Sequence, residues 1–129
     1  MALMSIRADF QSTVDEFIAD LTSFATGSYL KEDEKEFWDQ PFDPAVLPQL
    51  RSLLEGFLDN LDKVPDDPDG ETIAAVAVPF VESLESFNAA HAGAVIEPEE
   101  KEDLAAFMHD AAAATGADDE ALRALPELD

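Results

Sequence analysis

Asp9-Phe10-Gln11-Ser12-Thr13-Val14-Asp15-Glu16-Phe17-Ile18-Ala19-Asp20-Leu21-Thr22-Ser23-Phe24 is the stretch that decides the fold class. Phe10, Val14, Phe17, Leu21 and Phe24 step by four, three, four and three residues, which places all five on one stripe of an α-helix. Asp9, Asp15, Glu16 and Asp20 fall off that stripe. Ser5 has the short hydroxyl of an N-cap, and Gly27 tolerates the left-handed turn that ends a helix. The spacing therefore predicts a helix over about 5 to 26. Five bulky apolar positions on one stripe need a large apolar surface opposite, from a monomeric bundle or from a second copy of the chain. If Phe17 lies in that core, Phe17→Ala should cost about 3–5 kcal/mol.

The same period continues outward. Residues 28–38 read as a short helix, with Tyr29, Leu30 and Phe37 sharing one side and Lys31-Glu32-Asp33-Glu34-Lys35-Glu36 turned to water. Phe37-Trp38-Asp39-Gln40-Pro41-Phe42-Asp43-Pro44 then ends it, because proline disfavours a helical residue before it. Asp43 as cap and Pro44 at the first position open a helix of about 44 to 63. It carries Val46, Leu50, Leu53, Leu54, Phe57, Leu61 and Val64, with Gly56 as a point where a second helix would approach closely. Pro65-Asp66-Asp67-Pro68-Asp69-Gly70 is a loop by composition.

A third long helix is expected over 70 to 92, with Ile73, Val76, Phe80, Leu84 and Phe87 as its stripe. Ile73 to Val81 is apolar all round, which predicts the most enclosed element. Pro79 inside it removes an N–H and crowds the carbonyl of Ala75, predicting a kink or a break. A fourth helix opens at Pro98 with acids in its first turns and carries Leu104, Phe107, Met108 and Ala111. Gly116 stops it, and Ala117 to Leu125 reads as a last short helix capped by Asp118. The expected architecture is all-α: one domain over 1–129, a bundle of four main helices plus one or two short ones, with a proline-kinked central helix.

Charge bounds the function. Thirty acids stand against seven bases, a formal charge of -23. The imbalance is uneven: residues 1–64 hold 13 acids and 5 bases, residues 65–129 hold 17 and 2. Nucleic acid and anionic membranes repel such a surface, so neither is an expected partner. The longest apolar run, Ile73 to Val81, is nine residues and falls short of a membrane span. Nothing at Met1 to Arg7 resembles a secretion signal, so the expected location is the cytoplasm.

Chemistry finds little support. With no cysteine there is no thiol nucleophile or zinc-thiolate site. No His-Glu-x-x-His, phosphate-cradling or dinucleotide-binding glycine motif occurs. His91 extends the Phe80, Leu84, Phe87 stripe and is expected near the bundle at a helix end. His109 is expected beside the Leu104, Phe107, Met108 face and partly exposed, with Asp110 pointing elsewhere. Residues 65–76 fail as a calcium loop, because Pro65 and Val76 stand where ligands belong. No catalytic, cofactor or metal residue is expected, and the chain reads as a non-enzyme. The expected function is an interaction or regulatory module of inhibitor, immunity-like or adaptor type, with a cationic protein partner. Trp38 and Phe42 in the aromatic corner, with Asp66, Asp67 and Asp69 in the acidic loop, are the candidate partner-binding residues. A helical domain whose acidity is salt adaptation, self-associating as a homodimer, is the alternative, and a small enzyme without a recognisable motif the second.

Overall fold

A computed structural model describes residues 5–27, 30–35, 42–65 and 67–127, and all regular structure among them is helical. The elements are α1 (Ile6–Thr26), α2 (Glu32–Lys35), a 3₁₀ turn (Pro44–Val46), α3 (Leu47–Leu61), α4 (Gly70–Ala90), α5 (Pro98–Ala113) and α6 (Asp119–Leu122). The four long helices form the expected bundle. The helix expected from Pro44 is divided, its first turn tightening into the 3₁₀ segment that Asp43 caps through Ala45 N–H at 2.9 Å.

Helix ends fix the order of packing. Ser5 Oγ accepts from Ala8 N–H at 2.9 Å, as its position implied. The Asp62 carboxylate, just past the end of α3, accepts from the N–H groups of Ile6 at 2.7 Å and Arg7 at 3.1 Å. A carboxylate here satisfies donors that no helical bond reaches and complements the positive helix end. It also pins the start of α1 to the end of α3, so these helices run antiparallel. Gly27, at φ 69°, closes α1 by donating its N–H to Ser23 O at 2.9 Å.

The core runs through Val14, Ile18, Leu21 and Ala25 of α1; Leu50, Leu54, Phe57, Leu58 and Leu61 of α3; and Ile73, Ala77, Phe80, Val81, Leu84 and Phe87 of α4. Leu104, Phe107, Met108, Ala111 and Ala112 close it from α5. Phe57 stacks on Phe80 with centroids 4.2 Å apart and lies 6.0 Å from Phe107.

The enclosed position belongs to α3, which packs against α1, α4 and α5. This corrects the expectation that α4 is central. Ala75, Val78 and Pro79 of α4 face water, and Val78 is 38% exposed. The helix runs unbroken through Pro79. The carbonyl that proline leaves without a donor belongs to Ala75 on the same wet side, where solvent can satisfy it. By length and composition α4 is the one described helix apolar enough to cross a membrane, but its Ile73-to-Phe87 stripe is packed in the bundle. Gly56 has no atom within 4 Å of where a Cβ would sit, so it marks no close approach.

The α4–α5 connection is held by one side chain. Asn88 donates to Ile96 O at 2.8 Å and accepts from Ile96 N–H at 2.9 Å, while Val95 and Ile96 are buried. At the other end, Gly116 (φ +91°) lets the α5–α6 turn approach the α3–α4 loop, where Asp67 Oδ1 lies 3.0 Å from the place a Cβ would occupy.

Candidate interaction groove

The three phenylalanines of α1 do not form its core. Val14, Ile18, Leu21 and Ala25 do, and Phe10, Phe17 and Phe24 are half-buried beside them. At 100° per residue the phenylalanines lie roughly 70° round the helix from the buried stripe. They face α5. Opposite them, on the flank toward α3, α1 carries Arg7, Gln11 and Asp15. Arg7 reaches both Asp59 oxygens at 2.9 Å and Glu55 at 3.2 Å. Arg51 pairs with Asp15 and lies 3.6 Å from Glu55. Gln11 bridges the set by accepting from Arg7 at 2.7 Å and donating to Glu55 at 2.9 Å. Two of the chain's seven bases are thus engaged inside the α1–α3 seam. Arg51 holds the Asp15 carboxyl below its ordinary value, helped by Gln11.

Between α1 and α5 the packing is looser. Phe10 meets Phe107 edge-on, centroids 6.1 Å apart, and beside this contact opens a cleft of about 270 Å³. Its apolar floor includes Phe10, Phe17, Leu54, Leu104 and Phe107. Its rim holds Glu16 and Asp20 of α1 and Asp103 and Asp110 of α5, all four exposed. A second hollow of about 250 Å³ shares Phe17, Asp20 and Asp103 with the first and extends it to Glu97, Glu99 and Glu100. Among the described residues no lysine, arginine or histidine lines either. Burial, then the neighbouring Glu97 and Glu99, pushes the Glu100 carboxyl above its ordinary value. Like charges are held together there, with Glu97 and Glu99 both acting on Glu100.

The residues nominated from sequence do not form one site. Trp38 and Asp66 lie outside the described residues. Phe42 is 8% exposed and rests on Phe24 with centroids 6.4 Å apart. It plugs the end of the bundle where α1 finishes and α3 begins, which places this candidate partner-binding residue in the core. Asp67 and Asp69 sit at the opposite end, where α3 finishes and α4 begins. Asp67 is exposed, with φ 51°. Asp69 caps α4 by accepting from Thr72 N–H at 2.9 Å, which holds its carboxyl below the ordinary value. Antiparallel packing separates residue 42 from residues 67–69 by the length of α3. What the sequence reading missed is the groove. Its signal was present, because Phe10, Phe17 and Phe24 recur at exactly seven residues while Ile18 and Ala25 continue the true core stripe.

The histidines occupy separate places. His91 ends α4 and meets Phe87 edge-on at 4.8 Å. His109 Nδ1 lies 3.6 Å from Asp110 Oδ1, correcting the expectation that Asp110 points away. Both side chains are largely exposed, so the pair is a surface contact. Among the described residues no three His, Asp or Glu side chains converge as a metal would need. Comparison with protein-family models, with curated proteins and with solved structures returned no match.

Proposed function

We propose that this protein is a non-enzymatic interaction module that acts in the cytoplasm by seating a cationic protein partner, as an inhibitor, immunity-like protein or adaptor does. The observation that carries the reading is the α1–α5 groove, an aromatic floor banked on both sides by carboxylates, with no base among its described lining residues. Half-buried aromatic rings give a partner apolar area to cover, and carboxylates on the banks steer a cationic surface toward it. The engagement of Arg7 and Arg51 in the α1–α3 seam supports the reading, since it holds both guanidinium groups away from the groove carboxylates. Nucleic acid and anionic lipid carry the sign of the banks and are disfavoured.

The test is affinity capture from the source organism's lysate, followed by size-exclusion chromatography of the purified pair. One basic protein, retained near physiological salt and released near 1 M, where the Debye length falls to about 3 Å, is the expected result. Recovery of the protein alone across that range would overturn the reading.

A further inference from the structure

We infer that the occupant of the α1–α5 groove is a cationic amphipathic helix, whose apolar stripe is flanked on both sides by lysine or arginine. The inference rests on the proposed role as a module for cationic partners, and it adds the shape and seat of the partner. The floor sets the first requirement. Phe10 and Phe17 are seven residues apart on α1, roughly 10.5 Å along its axis. A helix with apolar anchors at i, i+3 or i+4 and i+7 repeats over the same distance, which is how helices lie in apolar grooves. The continuation past Phe17, Asp20 and Asp103 toward Glu97 adds length along the same line.

The banks set the second requirement. Glu16 and Asp20 are one turn apart on α1, and Asp103 and Asp110 are two turns apart on α5. Carboxylates thus stand on both sides of the floor. A helix with an apolar stripe between two cationic flanks meets all of these features at once, whereas an extended basic tail meets only the charge. A second copy of the chain, at -23, brings the wrong sign. The Glu97, Glu99, Glu100 cluster at the α5 end would receive the cations of one end of the bound helix.

The probe is a fluorescein-labelled helical peptide of about 18 residues, close to 27 Å long, with a leucine stripe flanked by lysines. A scrambled peptide of identical composition keeps the charge and loses the stripe. Anisotropy titrations use the full chain, at low salt and near physiological salt. The proteins are wild type, the groove pair Asp20→Lys/Asp103→Lys, and a control pair on another face, Glu82→Lys/Glu85→Lys. All four positions are exposed, and thermal melts confirm that each variant folds. Expected is about tenfold tighter binding of the amphipathic peptide than of the scrambled one. The groove pair should lose about tenfold or more of that affinity, and the control pair no more than a few-fold. Equal binding of both peptides, or equal losses in both charge-reversal pairs, overturns the groove helix while salt-sensitive binding leaves the broader reading standing. No binding of either peptide at low salt overturns both.

Discussion

Replacing Phe57 by alanine tests the packing at its centre. Phe57 lies on α3, 2% exposed, stacked on Phe80 at 4.2 Å and tilted against Phe107 at 6.0 Å. It therefore links three of the four long helices. Removing the ring forfeits its transfer free energy and leaves a cavity that two neighbouring rings cannot fill without moving, a loss of about 3–5 kcal/mol. For a chain of this length the entropy of unfolding is about 0.27 kcal/mol/K, so Tm should fall by about 11–18 °C. Phe17→Ala is the matched comparison. The expectation of about 3–5 kcal/mol applied to a buried ring. With the ring half-buried in the groove wall, the loss should be about half as large. Thermal melts followed by circular dichroism, with urea titrations for the free energy, measure both. A Tm drop under about 4 °C for Phe57→Ala, or a larger loss at Phe17 than at Phe57, would refute the assignment of core and groove.

Other outcomes follow from particular contacts. Gly56→Ala should raise stability by about 1 kcal/mol, because the position is interior to α3 and open to a Cβ; an unchanged or lower urea midpoint would contradict that space. Asn88→Ala should cost about 1–3 kcal/mol, since both backbone groups of buried Ile96 lose their partner, and it should speed hydrogen exchange at the Ile96 amide. Stability should also pass through a maximum in acid. Glu100 has its pKa raised above the ordinary 4.5 by burial, so the folded state gains relative stability as pH falls through that raised value. Asp15 and Asp69 are held below the ordinary 3.8, so the stability they contribute is complete above 3.8 and is lost as pH drops through their lower folded values. Tm should therefore rise between neutral pH and about 4.5 and fall below about 3.8, and Glu100→Gln should flatten the rise. A Tm that falls steadily from neutral pH would count against the crowding at Glu97, Glu99 and Glu100.

The sequence by itself determined the helices, because each signal is local. Apolar residues three and four apart mark a helix wherever they occur, and Ser5, Asp43, Asp69 and Asp118 cap helices with their own side chains. The bundle class and the great excess of negative charge follow from the same reading. What only the tertiary structure decided depends on how the helices turn about their axes and which ends meet. Periodicity shows that α1 has an apolar side but not where its centre lies, and that rotation separates Ile18 in the core from Phe17 in the groove. Likewise α4 is the most apolar helix, yet α3 is the enclosed one, because enclosure depends on having neighbours on several sides. The Asp62 cap on α1 and the Arg7–Glu55–Asp59 seam join residues about fifty positions apart, beyond any local pattern. The groove is the product of two helix faces, one ending at Phe24 and the other beginning at Pro98, and neither face shows alone that the other stands across from it.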